Sequence, residues 1–282
     1  MRIRVHMTKR LPAAALLVLV LATSRADAQA DTVPVGSLFT YRDAILAGSV
    51  AVAARLIHPL DDYFAKALQD SSTQANAKLQ TTAKFVRTTA APGAVIIGVS
   101  MYGVGRLAGN HKLASLGLHG TEALLIGELA ASAIKGVVGR QRPYVQPLNA
   151  NSYQLFRGVK AGNDYRSFPS GHSVAAFAAA AVVTGETSRN APNTTWIVAP
   201  LMYGGAALTG ISRMYNNQHW ASDVLIGAGI GTFAGLKVVR YHDSHPGNRI
   251  DRFFLAASLA PVDGGGHTLR WSVLPASLVE RR

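Results

Sequence analysis

Three short stretches of this 282-residue sequence carry the side chains able to manage a dense anion. The first is Lys135, followed seven residues later by Arg142 and then Pro143. The second is Phe168-Pro169-Ser170-Gly171-His172. The third is Ser212-Arg213, then His219, Trp220 and Asp223. Seven residues are about two helical turns, so Lys135 and Arg142 are expected on one helix face, with Pro143 ending that helix. Ser170 stands where a helix N-cap belongs, which leaves the NH groups of Gly171 and its neighbours free to receive an anion. His219 and Asp223 are four apart, so on a helix the carboxylate can bind one imidazole nitrogen and direct the other outward.

Each stretch also has an ordinary reading: a solvated pair of cations, a capped helix with an incidental histidine, a surface His/Asp pair. Together they supply the parts of a phosphoryl-transfer site, which works by positioning and by stabilising charge on three equatorial oxygens. Lys135, Arg142 and Arg213 would hold the phosphate, with Ser170 and Gly171 as further donors. His219, oriented by Asp223, would be the nucleophile. His172 would protonate the leaving alkoxide and then serve as base on water. No carboxylate cluster has metal-ligand spacing, and His58, His111 and His119 stand apart in the sequence. A metal is not required and no metal site is expected.

The elements that must position these residues read as helices. Apolar runs span Asp43 to Ile57, Gly93 to Gly105 after Pro92, Gly120 to Arg140, His172 to Glu186, Trp196 to Ser212 and Ser222 to Val239. The expected fold is all-α, a bundle of about six core helices. Polar Gln69 to Thr82 reads as a loop or a solvated helix, and Pro143 to Pro169 as a long functional connection. Two apolar stretches, Phe253 to Val262 and His267 to Leu274, flank Asp263-Gly264-Gly265-Gly266, which suggests a short C-terminal β-hairpin.

At the start, Arg2, Arg4, Lys9 and Arg10 precede a short apolar run and Ala26-Asp27-Ala28. This pattern is expected to be a secretory signal cleaved after Ala28, with export to the cell envelope, either periplasmic or membrane-associated. The expected organisation is signal peptide 1–28, N-terminal helices and polar linker 29–90, catalytic bundle 91–243 and C-terminal extension 244–282. The formal net charge is +13, and removal of the signal leaves 23 basic against 14 acidic residues. That surplus suits phosphorylated substrates or acidic lipids. Its scattered placement argues against nucleic acid. Cysteine is absent, so neither disulfides nor thiolate metal sites arise. Arg55, Glu122, Glu128, Lys135, Glu186 and Lys237 interrupt or border the apolar runs. Composition therefore slightly favours a bundle beside the membrane over one that spans it.

The three stretches resemble the signature of the type 2 phosphatidic acid phosphatase and vanadium haloperoxidase superfamily: Lys-x6-Arg-Pro, Pro-Ser-Gly-His and Ser-Arg-x5-His-x3-Asp. Lys135, Arg142, Pro143, Pro169, Ser170, Gly171, His172, Ser212, Arg213, His219 and Asp223 occupy its specified positions in order. The resemblance covers roughly Leu118 to Val239. It implies a helical core, the roles assigned above, and hydrolysis of a phosphate monoester through a phosphohistidine, on a lipid phosphate, an isoprenyl pyrophosphate or a small soluble ester. No cofactor is expected, although vanadate should bind as a phosphate mimic. The alternatives are a vanadate-dependent haloperoxidase or a non-catalytic envelope protein that binds phosphate or lipid. The compact chain looks more like the phosphatases.

Overall fold

A computed structural model of the chain describes residues 38–160 and 162–255, except the side chains of 91 and 92, and the backbone of 257–261 and 267–271. The expected signal segment and the Gly-rich turn at 263–266 lie outside the described residues. Among the described residues the fold is all-α apart from two strands near the C-terminal end. Helix α1 covers Tyr41–Ile57, and a 3-10 turn at His58–Leu60 leads into α2, Asp61–Leu68. Short α3 (Ser71–Gln74) and α4 (Ala77–Thr88) follow. The long helices come next: α5 (Ala94–Leu107) and α6 (His111–Val138), then α8 (Gly171–Asn190), α9 (Thr195–Tyr215) and α10 (Ala221–Ser244). Between α6 and α8 lie one helical turn, α7 (Arg157–Lys160), and a 3-10 turn at Gly162–Tyr165. After α11 (Arg249–Leu255), strands β1 (Ala257–Pro261) and β2 (His267–Trp271) pair antiparallel.

Close helix contact comes from small residues at i, i+4 spacing. Gly227, Gly231 and Gly235 line one face of α10, where added Cβ atoms would fall 2.5 Å from the Ser170 carbonyl oxygen, 2.2 Å from that of Val174 and 2.7 Å from that of Ala178. Helices α8 and α10 therefore meet backbone to backbone, the most extensive contact in the fold. The apolar core is built largely from small residues, with Ala123, Ala175, Ala178, Ala181 and Val182 nearly inaccessible. Larger apolar side chains point outward: Leu129 is 75% exposed, Trp196 74%, Leu201 71% and Leu107 70%.

Two expectations need correction, and of the two readings of the polar stretch from Gln69 the structure takes the largely solvated helix. Gln69 Nε2 and Gln74 Nε2 donate to the Tyr215 carbonyl oxygen at 2.8 and 3.1 Å, satisfying an end carbonyl of α9. Helix α6 begins nine residues before Gly120, because Asn110 caps it by accepting the Leu113 NH at 3.0 Å. It stops at Val138, not at Pro143, because Gly139 adopts the left-handed conformation, φ 57°. His119 does not stand apart. Its ring stacks on that of His242 with centroids 3.8 Å apart.

Candidate active site

The three motif stretches converge at one end of the bundle, at the last turns of α6 and α9 and the first turns of α8 and α10. Lys135 lies in the last turn of α6, and its Nζ donates to the Pro169 carbonyl oxygen at 2.5 Å. Ser170 caps α8, where its Oγ accepts the Ser173 NH at 3.4 Å. Gly171 is the first residue of α8, and a Cβ there would meet the Glu128 carboxylate at 3.0 Å. His172 follows, half-buried, in the field of Arg213, Lys135, Arg142 and Arg87. Arg213, in the last turn of α9, is buried, and its Nε and Nη1 make no hydrogen bond. A buried guanidinium with two unused donors is costly unless an anion receives them.

The expected shared helix face of Lys135 and Arg142 does not exist. Since α6 ends at Gly139, Arg142 arrives on the following loop. There its Nε donates to the Asn163 carbonyl oxygen at 2.8 Å and its Nη1 to Gln218 Oε1 at 2.8 Å. Only glycine fits at the reversal. A Cβ on Gly139 would stand 1.9 Å from the Gln154 carbonyl oxygen. The loop instead carries Arg142 to Gln218, the residue before His219, so the two cations still lie at one end of the bundle.

The expected His219–Asp223 pair is also rearranged. His219 precedes α10, on a turn in which Asn217 has φ 55°, so the four-residue spacing is not helical. Its Nδ1 lies 2.6 Å from the Ser167 carbonyl oxygen and 3.9 Å from Asp223 Oδ2. A carbonyl oxygen can only accept, so Nδ1 carries the proton and Nε2 is left with the lone pair. Burial pushes the His219 imidazole down to about 3, with Arg142 and Lys135 adding to the effect and Asp223 opposing it. The ring is neutral.

Asp223 works one step back. Its Oδ2 accepts from Ser167 Oγ at 2.5 Å and from the Trp220 NH at 3.0 Å, and its Oδ1 accepts from Arg140 Nη1 at 2.5 Å. Ser167 thus bridges the pair, touching His219 through its carbonyl and Asp223 through its hydroxyl.

Arg140 and Ser167 are the residues that sequence reasoning missed. Fully buried Arg140 also donates through Nη2 to Asp61 Oδ2 at 2.7 Å and through Nη1 to Ser222 Oγ at 2.8 Å. Asp61 Oδ1 in turn accepts the Ser222 NH at 2.8 Å. The only sequence signal was the charge of Arg140 in a run that already held Arg142. Arg87, exposed on α4, and Arg166 add positive field around the site.

This arrangement offers a neutral imidazole lone pair, a second imidazole and converging cations. The sequence profile of the PAP2 superfamily matches residues 118–245. Residues 118–245 belong to the PAP2 superfamily. The PAP2 segment holds all eleven motif positions, yet the Asp61 that anchors its Arg140 lies on α2, outside it.

One relative is the lipid A 1-phosphatase of Porphyromonas gingivalis, 42% identical over 88 residues, which are 31% of this chain and 19% of that protein. The chain thus spans about a fifth of the length of the curated relative it matches. Among solved structures, a transmembrane PAP2-type phosphatidylglycerolphosphate phosphatase from Bacillus subtilis matches with a TM-score of 0.51 and 22% identity. That match covers 74% of this chain and all of the other. At that identity the likeness concerns the PAP2 fold.

Proposed function

We propose that the protein is a membrane-embedded phosphatase that hydrolyses phosphate monoesters of lipids through a phosphohistidine on His219. One observation carries the reading: Arg213 keeps two unpaired buried donors at the same end of the bundle as a neutral histidine whose tautomer is set by Ser167. The names of the two relatives, both lipid phosphatases, support the substrate class.

In the proposed reaction the phosphoryl group rests against Arg213, Arg142 and Lys135 and the NH groups at the start of α8. The Nε2 lone pair of His219 attacks phosphorus, and the bond from phosphorus to the lipid oxygen breaks. That oxygen takes a proton from His172. Water then gives a proton to His172 and attacks phosphorus, breaking the P–N bond and releasing inorganic phosphate. Burial first, and then the cations around His172, oppose its protonation when the site is empty, and the charge of the bound phosphate offsets the cations.

The distribution of side-chain sizes supports membrane embedding, against the composition-based expectation. Large apolar residues face outward on α1, α5, α6 and α9 while alanine and glycine fill the interior, as suits a bundle with lipid around it. Two helical stretches, Tyr41–Leu68 and Ala221–Ser244, are long and apolar enough to cross a bilayer.

The test is phosphate release from a lipid phosphate, an isoprenyl pyrophosphate and a water-soluble ester by protein in detergent, with vanadate as competitor. The expected result is preference for a lipid substrate and trapping of an acid-labile phosphoenzyme. His219→Ala should lower turnover by about 10³-fold or more while leaving the fold intact. Full turnover in that variant would remove His219 from the role.

A further inference from the structure

At the end of the bundle away from His219, three ligand-type side chains from three helices meet. His119 Nε2 on α6, His242 Nδ1 on α10 and Asp251 Oδ1 on α11 all lie within 4.8 Å of one another. Asp251 Oδ1 is 2.9 Å from His242 Nδ1 and 3.6 Å from His119 Nε2. Lys135 and His119 are separated by about 24 Å along α6, taking 1.5 Å per residue. This cluster is therefore remote from the phosphoryl-transfer site and independent of how that site is read.

The outer nitrogen of each imidazole is already engaged. His119 Nδ1 lies 2.7 Å from Glu186 Oε1, and His242 Nε2 lies 2.8 Å from Glu122 Oε2. A carboxylate accepts, so those nitrogens bear the protons, and in the neutral rings both inner nitrogens carry lone pairs. Asn248 Nδ2 stands 3.1 Å from His242 Nδ1 and donates to Asp251 Oδ2 at 2.7 Å, which agrees with a lone pair on that nitrogen. His119 Nε2 and Asp251 Oδ1 are buried and make no hydrogen bond. Two lone pairs and a carboxylate oxygen aimed at one another repel unless a cation lies between them, either a proton on His242 Nδ1 facing Asp251 Oδ1 at 2.9 Å or a metal ion that displaces that proton. Protonating both rings instead would stack two cations 3.8 Å apart.

We infer that His119, His242 and Asp251 form a site for a zinc-type divalent ion that clamps α11 onto α6 and α10. Two imidazoles and one carboxylate suit zinc better than calcium or magnesium, which favour all-oxygen shells. Metal–ligand bonds of about 2.0–2.2 Å in a tetrahedral shell put neighbouring ligand atoms about 3.3 Å apart, between the two separations observed. Glu186 and Glu122 supply the outer carboxylates that orient metal-binding histidines. The Asp251 side chain, 18% exposed, leaves one side open for a fourth ligand such as water. The Asn248 amide, now shared with His242, turns to Asp251 alone when the ion binds.

The experiment uses the full chain in detergent, purified without a polyhistidine tag and stripped with chelator. Zinc is titrated against a chromophoric chelator, cobalt is added as a spectroscopic probe, and the thermal unfolding midpoint is followed with and without zinc. The expected results are one equivalent bound per chain, strong tetrahedral cobalt bands and a higher midpoint with zinc. Asp251→Asn and His119→Gln should each weaken zinc binding by more than tenfold, and Glu122→Gln by about 10- to 100-fold. Absence of competitive binding and of tetrahedral bands in the wild type would overturn the inference, even if the variants fail to fold. Undiminished binding in Asp251→Asn would also overturn it, by placing the ion elsewhere. None of these readouts uses phosphate release, so this inference and the phosphatase reading can fail separately.

Discussion

His219 and Arg140 show two ways a buried group can be settled. His219 is neutral because burial outweighs a carboxylate 3.9 Å away, and its tautomer comes from a backbone carbonyl. With its value near 3 instead of the ordinary 6.5, the imidazole keeps its lone pair at every pH above about 3. The acid limb of kcat/KM, once the substrate's own ionisation is divided out, should therefore lie well below pH 6.5. A limb at 6.5 would place His219 in a solvated setting.

Arg140 keeps its charge buried because Asp61 and Asp223 flank it on two sides. Arg140→Ala would leave two buried carboxylates without their shared partner, which should cost about 3–5 kcal/mol of stability, read from the unfolding midpoint in detergent. Arg140→Lys should rescue little, since a single ammonium cannot fork between Asp61, Asp223 and the Ala150 carbonyl.

At the scale of helices, the precision of the site depends on how near α8 and α10 approach. His172 is in the first turn of α8, and His219 immediately precedes α10, whose first turn holds Asp223, so the spacing of these two helices bears on the distance between the imidazoles. Gly231→Ala would push a methyl group to 2.2 Å from the Val174 carbonyl oxygen, and backbone would have to give way. The expected result is a loss of about 1–3 kcal/mol together with lower turnover. Gly204 offers the control. A Cβ there meets nothing within 4 Å, so Gly204→Ala should leave activity unchanged and add up to about 1 kcal/mol through helix propensity. Equal effects at the two positions, measured side by side, would show that helix contact does not govern the site.

Among the described residues, a small-residue interior is combined with large apolar side chains that face outward and with a cationic end. On the proposed reading, the phosphate-binding residues gather where α6 and α9 end and α8 and α10 begin, which would put them near a membrane face. A lipid head group would meet the site there without leaving its layer. The chain should accordingly require detergent or lipid to stay dispersed, and vesicles carrying an acidic lipid phosphate should sustain faster phosphate release than a water-soluble ester at equal concentration. Monodisperse behaviour in plain buffer by size-exclusion chromatography would contradict the embedded arrangement.

Residue type and short-range spacing were enough to single out Lys135, Arg142, Ser170, Gly171, His172, Arg213, His219 and Asp223, because each belongs to a stretch whose chemistry is local. The helical class was legible for the same reason, from apolar runs bounded by Pro92, His58-Pro59 and Ser170. The N-caps were partly so: Ser170 could be read, whereas Asn110 was passed over. Tertiary structure alone decided which groups touch. It ended α6 at Gly139, carried Arg142 across on a loop, and gave His219 to Ser167. It also seated Asp223 against an arginine that itself depends on Asp61 from a distant helix. His119 met Glu186, 67 residues away, by the same long-range folding. A sequence specifies what each side chain can donate, accept or carry. Which partner it finds depends on contacts between helices whose spacing along the chain leaves no periodic signal.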